Sequence, residues 1–397
     1  MTTGAEGLDL TGLTVGPAQT WGAIRLVPLL RERPVTDLRL HARLYDPEAL
    51  SIVQTAPRTA YISVIPHGFV ADWTTDGTPA AAYGTQLREP TDPHPPEGIR
   101  LVFRRRMARR EDRQRLRFLP LHLALEGYLA LQFGGPPIAW QDWTRQAVTR
   151  GLSPRMEAGY TGATVPGLDD ALRVFEIHPD QCGMVLHVAD TLAAAFVVGH
   201  PDDYRALHPT LLRDLYGELL FHYTHLYPAV PDFTFRLDET AIADIADLRA
   251  QLTRVAADWQ SFHTLMAEGL FAAQRLAVTP VQRLGRFTLA RFLPAFDPDA
   301  DNHIGETITD ETGRLVYLKT FRLSAAQTRR GHLLSQLAAH DWHLESTAAA
   351  LRTDVEGLVQ RVDRAGFGHL LRPDIIDACR RRARQSRGGP SAADRRQ

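Results

Sequence analysis

Asp214, Glu218, His222 and His225 are spaced four, four and three residues apart, so a helix through them carries all four on one face. Carboxylates and imidazoles grouped in this way suit zinc, manganese or iron. One helical face seldom completes a coordination sphere, and a half-exposed helix stopped by Pro228 explains the same spacing. The four residues are therefore weak metal candidates, and no cofactor is expected. Asp297-x-Asp299-x-Asp301 opens like a calcium loop, but Asn302 replaces the glycine such a loop needs and Ile308 replaces its closing glutamate, so an acidic turn is expected. Phosphate-binding loop, dinucleotide fingerprint, nucleophile elbow and His-Glu-x-x-His patterns are absent, and no histidine falls in a triad signature. Enzymatic activity has no positive support, and an uncharacterised enzyme in the N-terminal half remains an alternative.

Charge is a second source of chemistry. The formal net charge is -1 over 397 residues. Residues 321–397 hold 14 Arg against 8 Asp and Glu, about +6, which leaves about -7 for the rest. The basic end is where an anionic partner would dock. Nine arginines crowd 100–118, a charge run that reads more readily as a solvated face than as a second anion-binding surface. Lys319 is the only lysine, a bias that reflects GC-rich coding more than a demand for phosphate contacts. The N-terminus has no signal-peptide pattern and no apolar run is long enough to span a bilayer, so a cytoplasmic address is expected. Cys182 and Cys379 offer neither a disulfide framework nor zinc spacing and read as buried thiols.

These residues need elements to hold them. Short apolar runs at Ala23 to Leu29, Leu38 to Leu44, Ala60 to Ile65 and Arg100 to Phe103, set off by Pro, Gly and Asp, predict a β-rich N-terminal half. Met184 to Val188 and Leu192 to Val198 predict buried strands joined at Ala189-Asp190, and Asp203 to Tyr227 predicts a helix. A long helix follows, in which Ile245, Leu248, Leu252, Val255, Trp259, Phe262 and Met266 form a seam suited to the chain's own core or to a homodimer through 238–276. Phe287 to Pro294 and Leu315 to Phe321 predict two strands of a hairpin-like linker. The fold class is α+β. Its expected parts are a β-rich to α/β domain over 1–232, a connecting helix over 233–280, the linker over 281–322, a helical domain over 323–378 and a basic disordered tail over 379–397.

The helical domain is the most closely specified. Ser324 and Gln327 make a capping box for a helix running to His340, and Leu344 to Leu351 forms a second helix with small Ala348 and Ala350 where another helix must cross closely. Thr353 and Glu356 make a second capping box for a third helix, with Leu358, Val362 and Ala365 inward and Gly366 as its stop. Gln336 to Phe367 resembles the Fis-type helix-turn-helix family without a gap. That resemblance implies double-stranded DNA as partner, with Thr353, Gln360, Arg361 and Arg364 on the DNA face. Arg352, standing where the family has a turn glycine, would add a phosphate contact, as would Arg380, Arg381, Arg382 and Arg384 beyond the third helix. Asp354 and Glu356 oppose this, because they favour the helix dipole but repel phosphate.

A second likeness covers about residues 10–228. Phe175 to Gly183, Met184 to Phe196, Gly199 to Tyr204, Leu211-Leu212, Glu126-Gly127-Tyr128 and Gly151 to Arg155 resemble the ARG and rhodanese-phosphatase-superfamily-associated protein family, second type. The resemblance implies a link to ADP-ribose metabolism or to a stress or defence system, and so ADP-ribose-linked protein partners. Glu126, Arg155, Glu176, His178 and Gln181, polar residues of these motifs, are the ligand-pocket candidates, with structural hydrogen bonding as the plainer role. The expected function is a DNA-binding regulator with a sensing N-terminal domain. The alternative is a non-enzymatic accessory protein that uses its helical unit for protein contacts.

Overall fold

The run Ile24–Leu30, apolar except for Arg25, is buried almost throughout, which marks a central strand rather than an edge. In the computed structural model of the chain it is β4 of a ten-stranded sheet. The structure describes residues 3–5, 10–40, 53–54, 61–63, 80–82, 85–89, 98–100, 115–118, 175–189, 191–208, 211, 228–230, 233–265 and 276–387.

The other strands of this sheet are β1 (Thr3–Ala5), β2 (Thr14–Val15), β3 (Gln19–Trp21), β10 (Gln181–Val188), β11 (Thr191–Val197), β12 (Leu276–Leu284), β13 (Phe287–Leu293), β14 (His303–Thr309) and β15 (Leu315–Arg322). Their order is β1-β12-β13-β14-β15-β11-β10-β4-β2, with β3 also on β4, and every pairing is antiparallel. Val27, Leu29, Val185, Ala195, Val197, Leu276, Phe292, Leu315 and Leu318 form an apolar core, covered in part by Leu10, Leu13 and Val15. A second, smaller sheet has the order β5-β9-β6-β7-β8, from Val53–Gln54, Arg115–Phe118, Tyr61–Ser63, Ala80–Ala82 and Gly98–Arg100.

The region expected as a hairpin-like linker over 281–322 is part of the main sheet. β13 and β15 are not hairpin partners, because β14 lies between them. Without β13 to β15, β1 and β12 would not be joined to β11, β10 and β4. β14 escapes sequence reading because His-Ile-Gly-Glu-Thr-Ile-Thr buries polar residues and does not alternate. A Cβ at Gly305 would run into the Lys319 carbonyl, so the two strands approach too closely for any other residue. β12 is masked by Pro280, which the sheet accepts beside a register shift at Pro280/Gln282, beyond the segment paired with β1.

The helices are α1 (201–208), α2 (Ile245–Leu265), α3 (Ala325–Ala339), α4 (Leu344–Ala350), α5 (Val355–Arg364) and α6 (Pro373–Arg387). The seam of α2 divides. Toward its C-terminal end Phe262 packs 5.6 Å from Phe233 with the Arg25 guanidinium 5.5 Å over its ring, whereas Ile245 and Leu252 nearer the start are exposed. Met266 lies outside the described residues.

Helices α3, α4 and α5 share a core of Leu333, Leu337, Ala348, Leu358 and Val362, with Trp342, Leu351 and Phe367 packed against it. Ser324 and Gln327 make the expected capping box, while the start of α5 differs. Asp354, not Thr353, is its N-cap, accepting from Gly357 N at 2.7 Å, and this places Glu356 in the first turn rather than in a reciprocal box. All three helices end in the same way. The amide after the left-handed residue reaches back five residues, Trp342 to Leu337, Thr353 to Ala348 and Phe367 to Val362, as a Schellman turn requires. The left-handed residues are Asp341, Arg352 and Gly366, at φ 51°, 50° and 85°. Only the third is glycine. Arg352→Gly is expected to stabilise the chain by about 0.5–1 kcal/mol, the relief of left-handed strain less the added freedom of the unfolded chain. A urea titration that shows no gain would mean that the Arg352 side chain contributes to the fold.

The tail expected to be disordered from 379 is helical as far as Arg387. Pro373 is pre-set for a first helical position, Asp374 favours the dipole there, and Cys379 is buried beneath the arginines. The helical unit also touches the sheet domain: Phe296, left-handed at φ 55° and buried, fills the space over Gly331 of α3 that a side chain would need.

Candidate functional site

The basic face of the helical unit is built on these turns. Arg352 projects from the α4–α5 turn, and Arg361 and Arg364 lie near the end of α5, three residues apart and so on neighbouring positions of one face. All three are exposed, and no side chain among them makes a hydrogen bond or ion pair with a described residue. Thr353 and Gln360 are half-buried, Gln360 lying 3.5 Å from the Glu356 carboxylate. Arg380, Arg381 and Arg382 are exposed on α6, which also carries Arg384. Arg380 is partly committed, donating to Asp363 at 3.1 Å. Arg352 thus stands at the capped start of α5 and Arg361 and Arg364 in its last turn, exposed guanidinium groups of a kind that can bond phosphate oxygens.

The motif residues of the middle region are structural in their contacts. The Glu176 backbone is held on both sides by the Gln19 side chain, at 2.7 and 2.8 Å. His178 N donates to Gln181 Oε1, His178 Nδ1 accepts from Asp180 N, and Gln181 Nε2 donates to the Gly183 carbonyl. These bonds shape the turn that enters β10. Glu126, Arg155, Asp214, Glu218, His222 and His225 lie outside the described residues. Arg39, which sequence reading did not single out, makes a bidentate pair with Asp203 of the Gly199 to Tyr204 motif, and Tyr204 Oη lies 3.0 Å from His208 Nδ1. Cys182 and Cys379 are free and buried, and loss of solvent pushes the Cys182 thiol up to about 11, so it is inert at neutral pH.

Two buried imidazoles make the fold sensitive to acid. Burial pulls His208 and His303 down to about 4, and His303 Nε2 donates to the Leu192 carbonyl at 2.9 Å. Unfolded histidines take up protons near 6.5, the folded ones only near 4, so stability is complete above 6.5 and falls as pH drops through that window. The urea midpoint is expected to fall between pH 7 and pH 5, and His208→Phe to flatten that fall. An unchanged slope in the variant would remove His208 from the explanation.

A buried ionic row in the main sheet was invisible in the sequence. Arg291, Glu306 and Lys319 stand opposite one another on β13, β14 and β15, forming one row across one face of the sheet. Glu306 is fully buried and accepts from Arg291 Nε at 2.9 Å and from Thr85 N at 2.9 and 3.1 Å. Tyr317, two residues before Lys319 on the same face, bonds Thr85 Oγ1 through its hydroxyl at 3.1 Å and sets its ring edge against Phe196. The one available signal was compositional, a lone lysine inside an apolar run.

No group of histidine, cysteine, aspartate and glutamate suited to a metal occurs among the described residues, and none of the described helices is long and apolar enough to cross a membrane. Sheet and helices together define a protein of mixed α and β content, with a β-rich region and a helical C-terminal unit. Residues 8–285 match ARPP-2, the ARG and rhodanese-phosphatase-associated protein family, and the chain belongs to that family. The match reaches beyond the 10–228 read from the motifs and takes in α2 and β12, while β13 to β15 and α3 to α6 follow it. Neither a curated protein nor a solved structure matches the chain.

Proposed function

We propose that the chain is a DNA-binding regulator in which α3 to α5 act as a helix-turn-helix and α5 enters the major groove. The observation that carries this reading is the set of exposed side chains of Arg352, Arg361 and Arg364, without described partners, on a three-helix unit with its own core. Arginine stands at the left-handed position 352, where glycine is easier, and there it adds a positive charge at the start of α5. Arg380, Arg381, Arg382 and Arg384 on α6 extend the same charge. Asp354 does not defeat the reading, because its carboxylate is turned onto Gly357 N as a cap.

In this proposal the ARPP-2 portion senses a ligand or partner, and its link to ADP-ribose chemistry rests on the family alone. The exposed Ile245 and Leu252 of α2 suit a homodimer, which would present two helical units to two half-sites. Light scattering that shows a monomer at working concentration would remove the dimer. The DNA reading is tested by fluorescence polarisation of labelled mixed-sequence duplex with the full chain. Binding is expected at about 50 mM salt and is expected to weaken by orders of magnitude toward about 200 mM as counterions compete. Absence of salt-sensitive binding would overturn it.

A further inference from the structure

The three helices of the C-terminal unit are capped by different side chains. Ser324 caps α3 and Asp354 caps α5, with a hydroxyl and a carboxylate. The cap of α4 is an imidazole, the one kind of side chain whose ordinary charge change falls between about pH 5 and pH 8. His343 Nδ1 accepts from Ser346 N at 3.3 Å and lies 2.6 Å from the Ser346 hydroxyl. Since Nδ1 carries no proton in the first bond, the hydroxyl donates in the second. A proton on Nδ1 replaces this acceptor by a donor facing the Ser346 N–H, and sets a cation at the positive end of the helix dipole. The start of α4 is poorly placed to absorb that loss. The helix has seven residues, fewer than stand alone in water. It is entered through Asp341 and Trp342, consecutive left-handed residues at φ 51° and 61° and neither of them glycine.

We propose that His343 is an acid-sensitive cap, and that proton uptake on its ring opens the start of α4 and loosens the helical unit while the main sheet stays folded. The His343 carbonyl also accepts from Thr347 N and Oγ1, at 3.0 and 2.8 Å, so opening this turn uncovers the buried Thr347 and Ala348. Ala348 shares its core with Leu358 of α5, which carries the change to the neighbouring helix. The surrounding charges leave the sign unchanged. Asp341 and Glu345 attract an imidazolium, but both are exposed, where such attraction is weak. His340 ends α3, where a charged ring favours that helix's dipole, and Arg329, Arg330 and His332 lie about two turns or more before that end. The α5 carboxylates are turned elsewhere, Asp354 onto Gly357 N, Asp363 onto Arg380 and Glu356 beside Gln360. Arg352, Arg361 and Arg364 are exposed and of like charge, which adds to the cost of a charged ring. Among the described residues His343 makes no ion pair. Any consequence for DNA rests on the helix-turn-helix reading, so the test uses the chain alone.

Hydrogen exchange of the full chain without DNA reads the cap directly. Protection of the α4 amides, corrected for the intrinsic effect of pH on exchange, is expected to fall about tenfold from about pH 7.5 to about pH 5.5, for a lost cap and an opposed dipole together. The amides of α3 and α5 should change less. His343→Ser keeps a capping hydroxyl without a titrating ring, and in it the α4 fall is expected to vanish. His208→Phe, which removes one of the buried imidazoles, is expected to leave the fall in place. No fall in the parent, an equal fall in His343→Ser, or its disappearance in His208→Phe would overturn the proposal. Nitrogen resonances of the His343 ring in the parent add a reading that needs no variant. A bare Nδ1 is expected at about pH 7.5, and a protonated one there would contradict the cap. With no duplex present, failure here leaves the DNA reading where it stands.

Discussion

Glu306→Ala is expected to destabilise the protein by about 3–5 kcal/mol in urea unfolding, because it removes the buried carboxylate that the Arg291 guanidinium and the Thr85 amide both bond. The variant leaves Arg291 without its carboxylate and removes the charge facing Lys319, in a strand buried on both faces. Glu306→Gln should cost less than the alanine, since an amide oxygen still accepts from Thr85 N while the charge is gone. Adding Lys319→Met to Glu306→Ala is expected to recover part of the loss, because the buried amine that faced the lost carboxylate is replaced by an apolar side chain. A loss below about 1 kcal/mol for Glu306→Ala would show that the row is not the structural centre assigned to it.

The second large effect is on DNA. The combined Arg352→Ala, Arg361→Ala and Arg364→Ala variant is expected to bind duplex at least about a hundredfold more weakly at roughly 0.1 M salt, from the loss of about three phosphate contacts. Its unfolding free energy should remain within about 0.5 kcal/mol of the parent apart from the change at position 352, because exposed side chains without partners contribute little. Affinity lost together with the fold would instead mark these arginines as structural. Arg352→Gly separates the two roles, with stability expected to rise as affinity falls.

The parts legible in the sequence are those where local chemistry and tertiary packing agree. Ile24–Leu30, Gln181–Val188 and Thr191–Val197 carry strand-forming runs, and the left-handed Ala189 turns the last two back on each other. The capping serine, small Ala348 and final Gly366 mark three helices before any contact is known. What failed was non-local. Pro280 hides a strand that a register shift accommodates, and Glu306 reads as a surface residue until β13 and β15 enclose it. No spacing rule links Thr85 to Glu306 or Arg39 to Asp203, because long connections bring them together. The Thr353 box failed for a smaller reason, as Asp354 one residue later reaches the Gly357 amide. The arginines proposed to meet DNA were named from motif positions, and the structure adds that the side chains of three of them are exposed without described partners while Arg380 is shared with Asp363.

The most direct measurement of the proposed contact is the slope of log affinity against log salt for the parent and for the Arg352, Arg361 and Arg364 triple variant on the same duplex. Each phosphate contact adds about 0.9 to that slope, so the parent is expected to be steeper by roughly 2 to 3. Equal slopes with binding intact would place the DNA elsewhere on the molecule and contradict the helix-turn-helix reading.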